Sequence, residues 1–142
     1  MEIWQTLLQK GNHSFNHESW DHAETYYHQA VSCLEQRWQV DIDDMELMLA
    51  WICACHNLAV LYEVQNKPTV ALRYLQIPHL RMTDISQRQE HSESTQAMAL
   101  QSLNITLAPL LAFSQKYPTC DNCVDALKKI ALRVKATQAV LH

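Results

Sequence analysis

The chain has 142 residues with one glycine, four prolines and five cysteines, and 48% of its residues are apolar. This length allows one domain to bury a core without metals or disulfides, and the apolar fraction argues against disorder. A single glycine, Gly11, leaves too few glycine-bearing turns for a sheet protein. The composition therefore predicts an all-helical chain.

The net charge of −4 is unevenly distributed. Residues 1–46 carry a charge of −7, residues 47–115 are neutral overall, and residues 116–142 carry +3. Because a phosphate backbone requires a continuous basic face, we expect no nucleic-acid partner. Opposite charges at the two ends could favour head-to-tail self-association, although solvated helix faces explain the same distribution.

The sequence gives no sign of export or of membrane insertion. The longest apolar run, residues 47–55, is nine residues long, whereas a spanning helix needs roughly 20. The first residues lack a basic start followed by an apolar stretch, which argues against a signal peptide. An odd number of cysteines argues against a disulfide framework. We expect a cytoplasmic protein with no membrane partner.

In chain order, the first predicted helix contains Gly11 and the second begins after Ser19. The apolar spacing predicts a helix at residues 2–16, followed by a second helix that begins after the N-cap Ser19 and ends near residue 39. Glycine inside a helix costs about 1 kcal/mol against alanine. We therefore expect Gly11 to lie where another backbone approaches closely.

A third helix follows the acidic connection at residues 41–44. Asp43, with Glu46 three residues later, resembles a capping box and predicts a helix over about residues 44–65. This helix is apolar almost all round, so we expect it to be the central and most buried one.

The fourth helix is predicted between two prolines. Asn66 tolerates the left-handed conformation that ends a helix, and Pro68 suits the first turn of the next one. We expect the fourth helix to stop before Pro78, because proline inside a helix removes a hydrogen bond and clashes with the preceding turn.

Two further helices are predicted in the rest of the chain. Residues 79–92 are mostly polar and are compatible with a loop or with the exposed start of a long fifth helix, capped by Thr83 or Asp84. Pro109 predicts a kink in the fifth helix rather than a stop. A sixth helix is predicted at about residues 120–140.

One short pattern occurs three times: an aromatic residue, an alanine nine residues later, and a large residue four further on. The copies are Tyr62, Ala71 and Leu75; Tyr117, Ala126 and Ile130; and Phe15, Ala23 and Tyr27, the last with one residue fewer. A small residue framed by large ones lets two antiparallel helices approach closely. The resulting hairpins cover one another's apolar faces, so the pattern predicts a helical repeat protein.

The pattern resembles that of tetratricopeptide repeat (TPR) proteins. The matching residues are Asn57-Leu58-Ala59-x-x-Tyr62 with Asn66, Ala71 and Leu75; Gly11, Trp20, Ala23, Tyr27 and Ala30; and Leu110, Phe113, Ser114, Tyr117, Ala126 and Ile130. A standard unit has 34 residues, whereas the successive alanines here are 48 and 55 residues apart. A generic helical bundle with coincidental spacing is the alternative.

The resemblance implies one all-α domain over residues 1–142, folded as a right-handed superhelix of three antiparallel hairpins with six main helices. The hairpins are expected at about residues 2–39, 43–78 and 84–141. It also implies a non-enzymatic protein–protein interaction module, an adaptor or chaperone-type protein, whose first helices line a concave groove for a peptide or helix.

The TPR resemblance carries seven residues into this groove. They are Gln5, Asn12, Cys53, His56, Asn57, Val60 and Glu63. A TPR variant that grips a carboxylate requires cations where this chain has Leu8, Ala108 and Ala112, so we exclude that variant. The remaining surface is mixed and nearly neutral, which suits a partly apolar helix or strand.

Cys120 and Cys123 form the sharpest chemical motif. Two thiols at this spacing near a helix start could bind zinc or exchange electrons. A thioredoxin-type site requires a βαβ context, and zinc requires two further ligands, for which Cys53, Cys55, His56 and His79 are the candidates. Helix packing explains the pair without a metal, so we expect no cofactor.

Catalytic signatures are missing from the sequence: one glycine cannot build a phosphate loop, and no local motif organises Ser, His and Asp. We expect no enzyme. Two alternatives stay open, namely a metal- or redox-responsive sensor that uses Cys120 and Cys123, and a small homodimerising structural subunit.

Overall fold

The structure, a computed structural model, describes residues 1–117, and these form five helices and no strand. The helices are α1 (Ile3–Asn16), α2 (Trp20–Val40), α3 (Met45–Val64), α4 (Pro68–Gln87) and α5 (Glu93–Lys116). The all-helical prediction is confirmed for this part of the chain. The predicted sixth helix, with Cys120, Cys123, Ala126 and Ile130, lies outside the described residues.

The chain divides into two compact units, Met1–Ile77 and Pro78–His142. Unit 1 contains α1, α2, α3 and the first half of α4. The described part of unit 2 contains the second half of α4 and all of α5.

Short polar side chains cap the N-termini of α3 and α5. The side chain of Asp44 accepts a hydrogen bond from the Leu47 amide at 3.1 Å, so the cap of α3 lies one residue beyond the predicted Asp43. Ser92 accepts from the Thr95 amide, also at 3.1 Å, at the start of α5. These bonds satisfy amides that the first turn of a helix leaves without partners.

Left-handed residues mark the turns that follow α1 and α3. Asn66 has a φ of 60° and Glu18 a φ of 59°. The Lys67 amide then donates to the Tyr62 carbonyl at 2.8 Å, which closes the end of α3. The predicted role of Asn66 is confirmed.

Gly11 allows α1 and α2 to pack closely. A Cβ atom at this position would lie 2.5 Å from two ring carbons of Tyr27 on α2, well inside van der Waals contact. The expected close approach is present, but it involves the ring of Tyr27 and not a backbone. Arg37 and Glu2 join the same two helices by an ion pair of 2.6 Å.

Helix α3 forms most of the core of unit 1, as its composition predicts. Its buried residues are Leu47, Met48, Trp51, Ile52, Ala54, Cys55, Leu58, Ala59, Leu61 and Tyr62. The indole of Trp51 packs against Trp38 of α2 with ring centres 5.4 Å apart. Both indoles are almost completely buried.

Equivalent positions of α1–α2 and α3–α4 are buried in the same register. The first set is Gly11, Ser14, Ala23, Tyr27 and Ala30, and the second, 48 residues later, is Ala59, Tyr62, Ala71, Leu75 and Pro78. All ten residues are buried. At this spacing of 48 residues, Ser14 rather than Phe15 aligns with Tyr62. Phe15 is half-buried and packs edge-on against Trp20 at 5.3 Å.

The prediction that the fourth helix stops before Pro78 is wrong, because α4 continues through this proline to Gln87. Proline removes one helical hydrogen bond. However, the turns after it bury His79, Met82 and Ile85, whose exposed fractions are 2% or less. Burial of the apolar side chains of Met82 and Ile85 stabilises by about 1.5–3 kcal/mol each, which exceeds the cost of the lost bond.

Residues 79–92 are therefore mostly helical, and neither predicted alternative describes them. Thr83 and Asp84 lie inside α4, where the Thr83 hydroxyl donates to the His79 carbonyl at 2.9 Å. The connection before α5 is short, and the third hairpin cannot begin at residue 84 as predicted. Helix α5 continues through Pro109, so this proline does not end it.

Helices α3 and α5 are long and apolar enough to cross a membrane when length and composition alone are considered. The longest uninterrupted apolar run, residues 47–55, does not reveal the apolar character of these helices, because polar residues occur along both of them. In α3, 56% of the most apolar window is buried inside the structure, and in α5, 39%. Core helices of soluble proteins pass the same test, so this is weak evidence of membrane insertion.

Candidate interaction surface

The seven residues of the predicted groove lie on two helices of unit 1, and we call them the α1–α3 surface. Helix α1 carries Gln5 and Asn12, and α3 carries the other five. Asn12, Cys53 and Val60 are exposed, whereas Gln5, His56, Asn57 and Glu63 are half-buried. All seven side chains therefore reach the boundary of unit 1, as a binding surface requires.

Tyr27 of α2 contacts the α1 half of this surface. Its hydroxyl donates a hydrogen bond to Asn12 Oδ1 at 2.7 Å. Burial is the larger cause that raises the pKa of Tyr27, and a negative charge on Cys53 would raise that pKa further. Tyr27 thus bonds directly to Asn12 of α1 and interacts electrostatically with Cys53 of α3.

The bond from Tyr27 also orients the Asn12 carboxamide. Because Oδ1 accepts the phenolic proton, the amide nitrogen with its two protons occupies the other side of the group. Asn12 is exposed, so this orientation presents a hydrogen-bond donor at the surface.

Gln5 has a structural role at the start of α1. Its side-chain oxygen accepts a hydrogen bond from the Glu2 amide at 2.8 Å. This bond supplies a partner to a backbone donor at the end of the helix. The resemblance alone does not reveal that the Gln5 carbonyl group is engaged in this way.

His56 is held neutral by its surroundings. Its Nε2 atom is buried and has no hydrogen-bond partner among the described residues. Burial lowers the pKa of His56, since the charged form loses hydration that nothing here replaces. The imidazole therefore adds no charge to the α1–α3 surface at neutral pH.

The surface as a whole is close to neutral. Glu63 is the one residue of the seven that is ordinarily charged at pH 7. Partial burial raises the pKa of the Cys53 thiol, which keeps it protonated. Val60 and the neighbouring Val64, one helical turn further on α3, are each 50% exposed. A neutral face with exposed valines can bury apolar groups of a partner.

A second polar cluster, which the sequence patterns did not predict, joins α2, α3 and α4 of unit 1. The Tyr62 hydroxyl donates to Glu24 Oε1 at 2.8 Å and lies 2.8 Å from His28 Nε2. The Tyr62 ring stacks on Tyr74, with ring centres 5.6 Å apart and an angle of 19° between the rings. His28 meets Tyr74 edge-on at 5.6 Å.

This second cluster fixes the protonation of Tyr62. Burial and then the hydrogen bond to Glu24 raise the pKa of the phenol far above its ordinary range, so it stays protonated. Because the hydroxyl proton goes to Glu24, the oxygen accepts from His28 Nε2–H. Glu24 and His28 are four residues apart on α2, a spacing that places them on one helix face and that could have indicated a shared partner.

The candidate metal ligands of unit 1 do not form a site. Within residues 1–117, no group of three or more His, Cys, Asp and Glu side chains is placed to hold a metal ion. Cys55 is buried, and burial raises the pKa of its thiol to about 12, whereas Cys53 is exposed. Cys120 and Cys123 lie outside the residues that the structure describes.

Comparison with known proteins identifies the family of this chain. The sequence profile of a family described as "Protein of unknown function (DUF2753)" matches residues 2–142. The chain belongs to the DUF2753 family. No curated protein and no solved structure matches the chain. The family description assigns no activity, so a function for this DUF2753 protein must be inferred from its residues.

Proposed function

We propose that this DUF2753 protein is a non-enzymatic protein–protein interaction module that binds a peptide or helix on the α1–α3 surface. The observation that carries the proposal is that Asn12 of α1 and Cys53 and Val60 of α3 are exposed on one compact unit. Two helices from different hairpins then present one surface to a partner. The TPR resemblance supports the same location.

The chemistry of this surface favours a neutral, partly apolar partner segment. Val60 and Val64 offer apolar area, and Asn12 offers hydrogen-bond donors in a fixed orientation. An anionic partner would find no cation among the seven residues and would meet Glu63. A partner helix with a small apolar face, or an extended segment, satisfies both kinds of contact.

The same register of burial in α1–α2 and α3–α4 supports a repeat architecture. Gly11 and Ala59 occupy equivalent small positions, as do Ala23 and Ala71. In repeat proteins, stacked hairpins produce extended surfaces that serve for binding. We propose that this protein binds its partner in the cytoplasm and that it does so without a cofactor.

Substitution of Val60 by Asp tests the proposal. The valine is half exposed, so the new carboxylate stays hydrated and the fold is retained, whereas a docked apolar partner would have to desolvate it. Val40→Asp is the matched control, because Val40 is 85% exposed and belongs to α2, which carries none of the seven residues.

The measurement is quantitative affinity capture from native lysate with the parent protein and both variants. We expect a set of partner proteins that Val60→Asp loses and Val40→Asp retains. Equal capture by all three proteins, with circular dichroism showing intact helices, would contradict the assignment of this surface.

A further inference from the structure

His79 is a fully buried histidine in unit 2, where it joins α4 to α5. Its side chain is 2% exposed, and its Nδ1 atom lies 2.9 Å from the hydroxyl oxygen of Thr106. Thr106 is itself completely buried. The pair is thus a polar contact between two helices inside an apolar core.

Both hydrogen-bond donors of this pair are satisfied when the ring is neutral, with its proton on Nδ1. The Thr106 hydroxyl donates to the Leu103 carbonyl at 3.2 Å, so its oxygen accepts from His79 Nδ1–H. The other ring nitrogen, Nε2, is buried and has no hydrogen-bond partner among the described residues. In either tautomer, a second proton on the ring would have no acceptor at Nε2.

Within residues 1–117, no carboxylate is paired with the His79 ring. Helix α5, which packs against His79 through Thr106, has no ionisable side chain between Glu93 and Lys116. On the unit 2 part of α4 the charged residues are Arg81 and Asp84, and the Asp84 carboxylate is paired with Arg88 at 2.8 Å. Burial alone lowers the pKa of His79.

We propose that the His79–Thr106 contact is an acid-sensitive latch: a proton on His79 opens the contact between α4 and α5, and unit 2 loosens below neutral pH. A buried charge without a partner is costly, and separation of α4 from α5 would let water reach the ring. This inference is independent of the proposed function, since the α1–α3 surface belongs to unit 1.

The sign of the effect follows from proton linkage. The folded form holds His79 neutral. In an opened form the ring takes up a proton with the ordinary histidine pKa of 6.5. Opening is therefore unaffected well above pH 6.5 and is favoured progressively as the pH falls below it. Between pH 7.5 and 5.5, one such histidine can raise the opening equilibrium by at most about tenfold.

Hydrogen–deuterium exchange at pH 7.5 and 5.5, corrected for intrinsic exchange rates, tests the latch. We expect amide protection in residues 79–87 and 95–113 to fall several-fold at the lower pH. His79→Asn, which keeps a polar group near Thr106 but does not titrate in this range, should remove most of that fall. His91→Asn, in the α4–α5 connection, should leave it unchanged. The same pH dependence in His79→Asn as in the parent would overturn the proposal.

A second measurement on the unaltered protein covers the case in which His79→Asn does not fold. The nitrogen chemical shifts of the His79 ring report its protonation directly. We expect a neutral ring for as long as the α4 and α5 amides stay protected. A ring that becomes protonated while those amides remain protected would overturn the latch.

Discussion

The hydroxyl of Tyr62 donates to the carboxylate of Glu24 at 2.8 Å and so joins α3 to α2 across 38 residues of sequence. The same oxygen lies 2.8 Å from His28 Nε2, and the Tyr62 ring is 6% exposed. One side chain thus satisfies two polar groups where the first and second hairpins of unit 1 meet.

Tyr62→Phe should destabilise unit 1, because it leaves Glu24 and His28 without their shared partner. A lost hydrogen bond to a charged group costs about 1.5–3 kcal/mol, and we expect a decrease in the free energy of unfolding within this range. Tyr26→Phe is the matched control, since the Tyr26 ring is half-buried beside Lys10. Urea denaturation measures both. Equal, small effects would show that the cluster contributes little.

Gly11→Ala should destabilise the α1–α2 hairpin although alanine favours helix by about 1 kcal/mol. The added methyl group would lie 2.5 Å from the Tyr27 ring, and overpacking of this kind costs about 1–3 kcal/mol. We expect a net loss of about 1 kcal/mol in chemical denaturation.

The double variant of Gly11 and Tyr27 identifies the cause of that loss. In a Tyr27→Leu background the ring is gone, so Gly11→Ala should become neutral or stabilising. A loss of the same size in both backgrounds would show that something other than the Tyr27 ring excludes the methyl group.

Ser92→Ala should lower the stability of α5 by about 1 kcal/mol, because the serine side chain caps the first turn through the Thr95 amide. Ser94→Ala is the control, since Ser94 is an exposed residue inside the same turn, and its change should be within about 0.5 kcal/mol. Thermal unfolding followed by circular dichroism compares the two. A larger loss for Ser94→Ala would place the start of α5 elsewhere.

The sequence predicted the parts of the fold that depend on local chemistry. Helical spacing located α1, α2 and α3 to within one or two residues, and Asn66 was recognised as a left-handed turn residue because few side chains tolerate that conformation. The burial of Ala23 and Ala71 follows from the same pattern, and both are 0% exposed.

The parts that depend on distant contacts could not be predicted in this way. Pro78 looked like a stop because the local rule is strong, and only the burial of Met82 and Ile85 after it explains why α4 continues. The bond between Tyr62 and Glu24 likewise requires knowledge of which helix faces meet. On the α1–α3 surface, the resemblance supplied the residues, but it did not reveal the hydrogen bond from Tyr27 to Asn12.

His56→Leu should make the protein less sensitive to acid. Burial lowers the pKa of His56, so the unfolded chain takes up a proton that the folded chain resists, and stability is lost as the pH falls below 6.5. We expect His56→Leu to gain stability relative to the parent at pH 5.5 and to differ little from it at pH 7.5. Urea denaturation at both pH values measures this. The exposed His22→Leu serves as control, and an equal gain in both variants would contradict the role of burial.

The central claim, that a partner docks on the α1–α3 surface, is tested most directly by the alkylation rate of Cys53. This thiol is exposed on that surface, whereas Cys33 is half-buried on α2 and serves as the internal reference. The two sites are to be followed by mass spectrometry with and without a partner purified by the capture experiment. We predict that bound partner slows the modification of Cys53 several-fold and leaves Cys33 unchanged. An unchanged rate at Cys53 with saturating partner would contradict the claim.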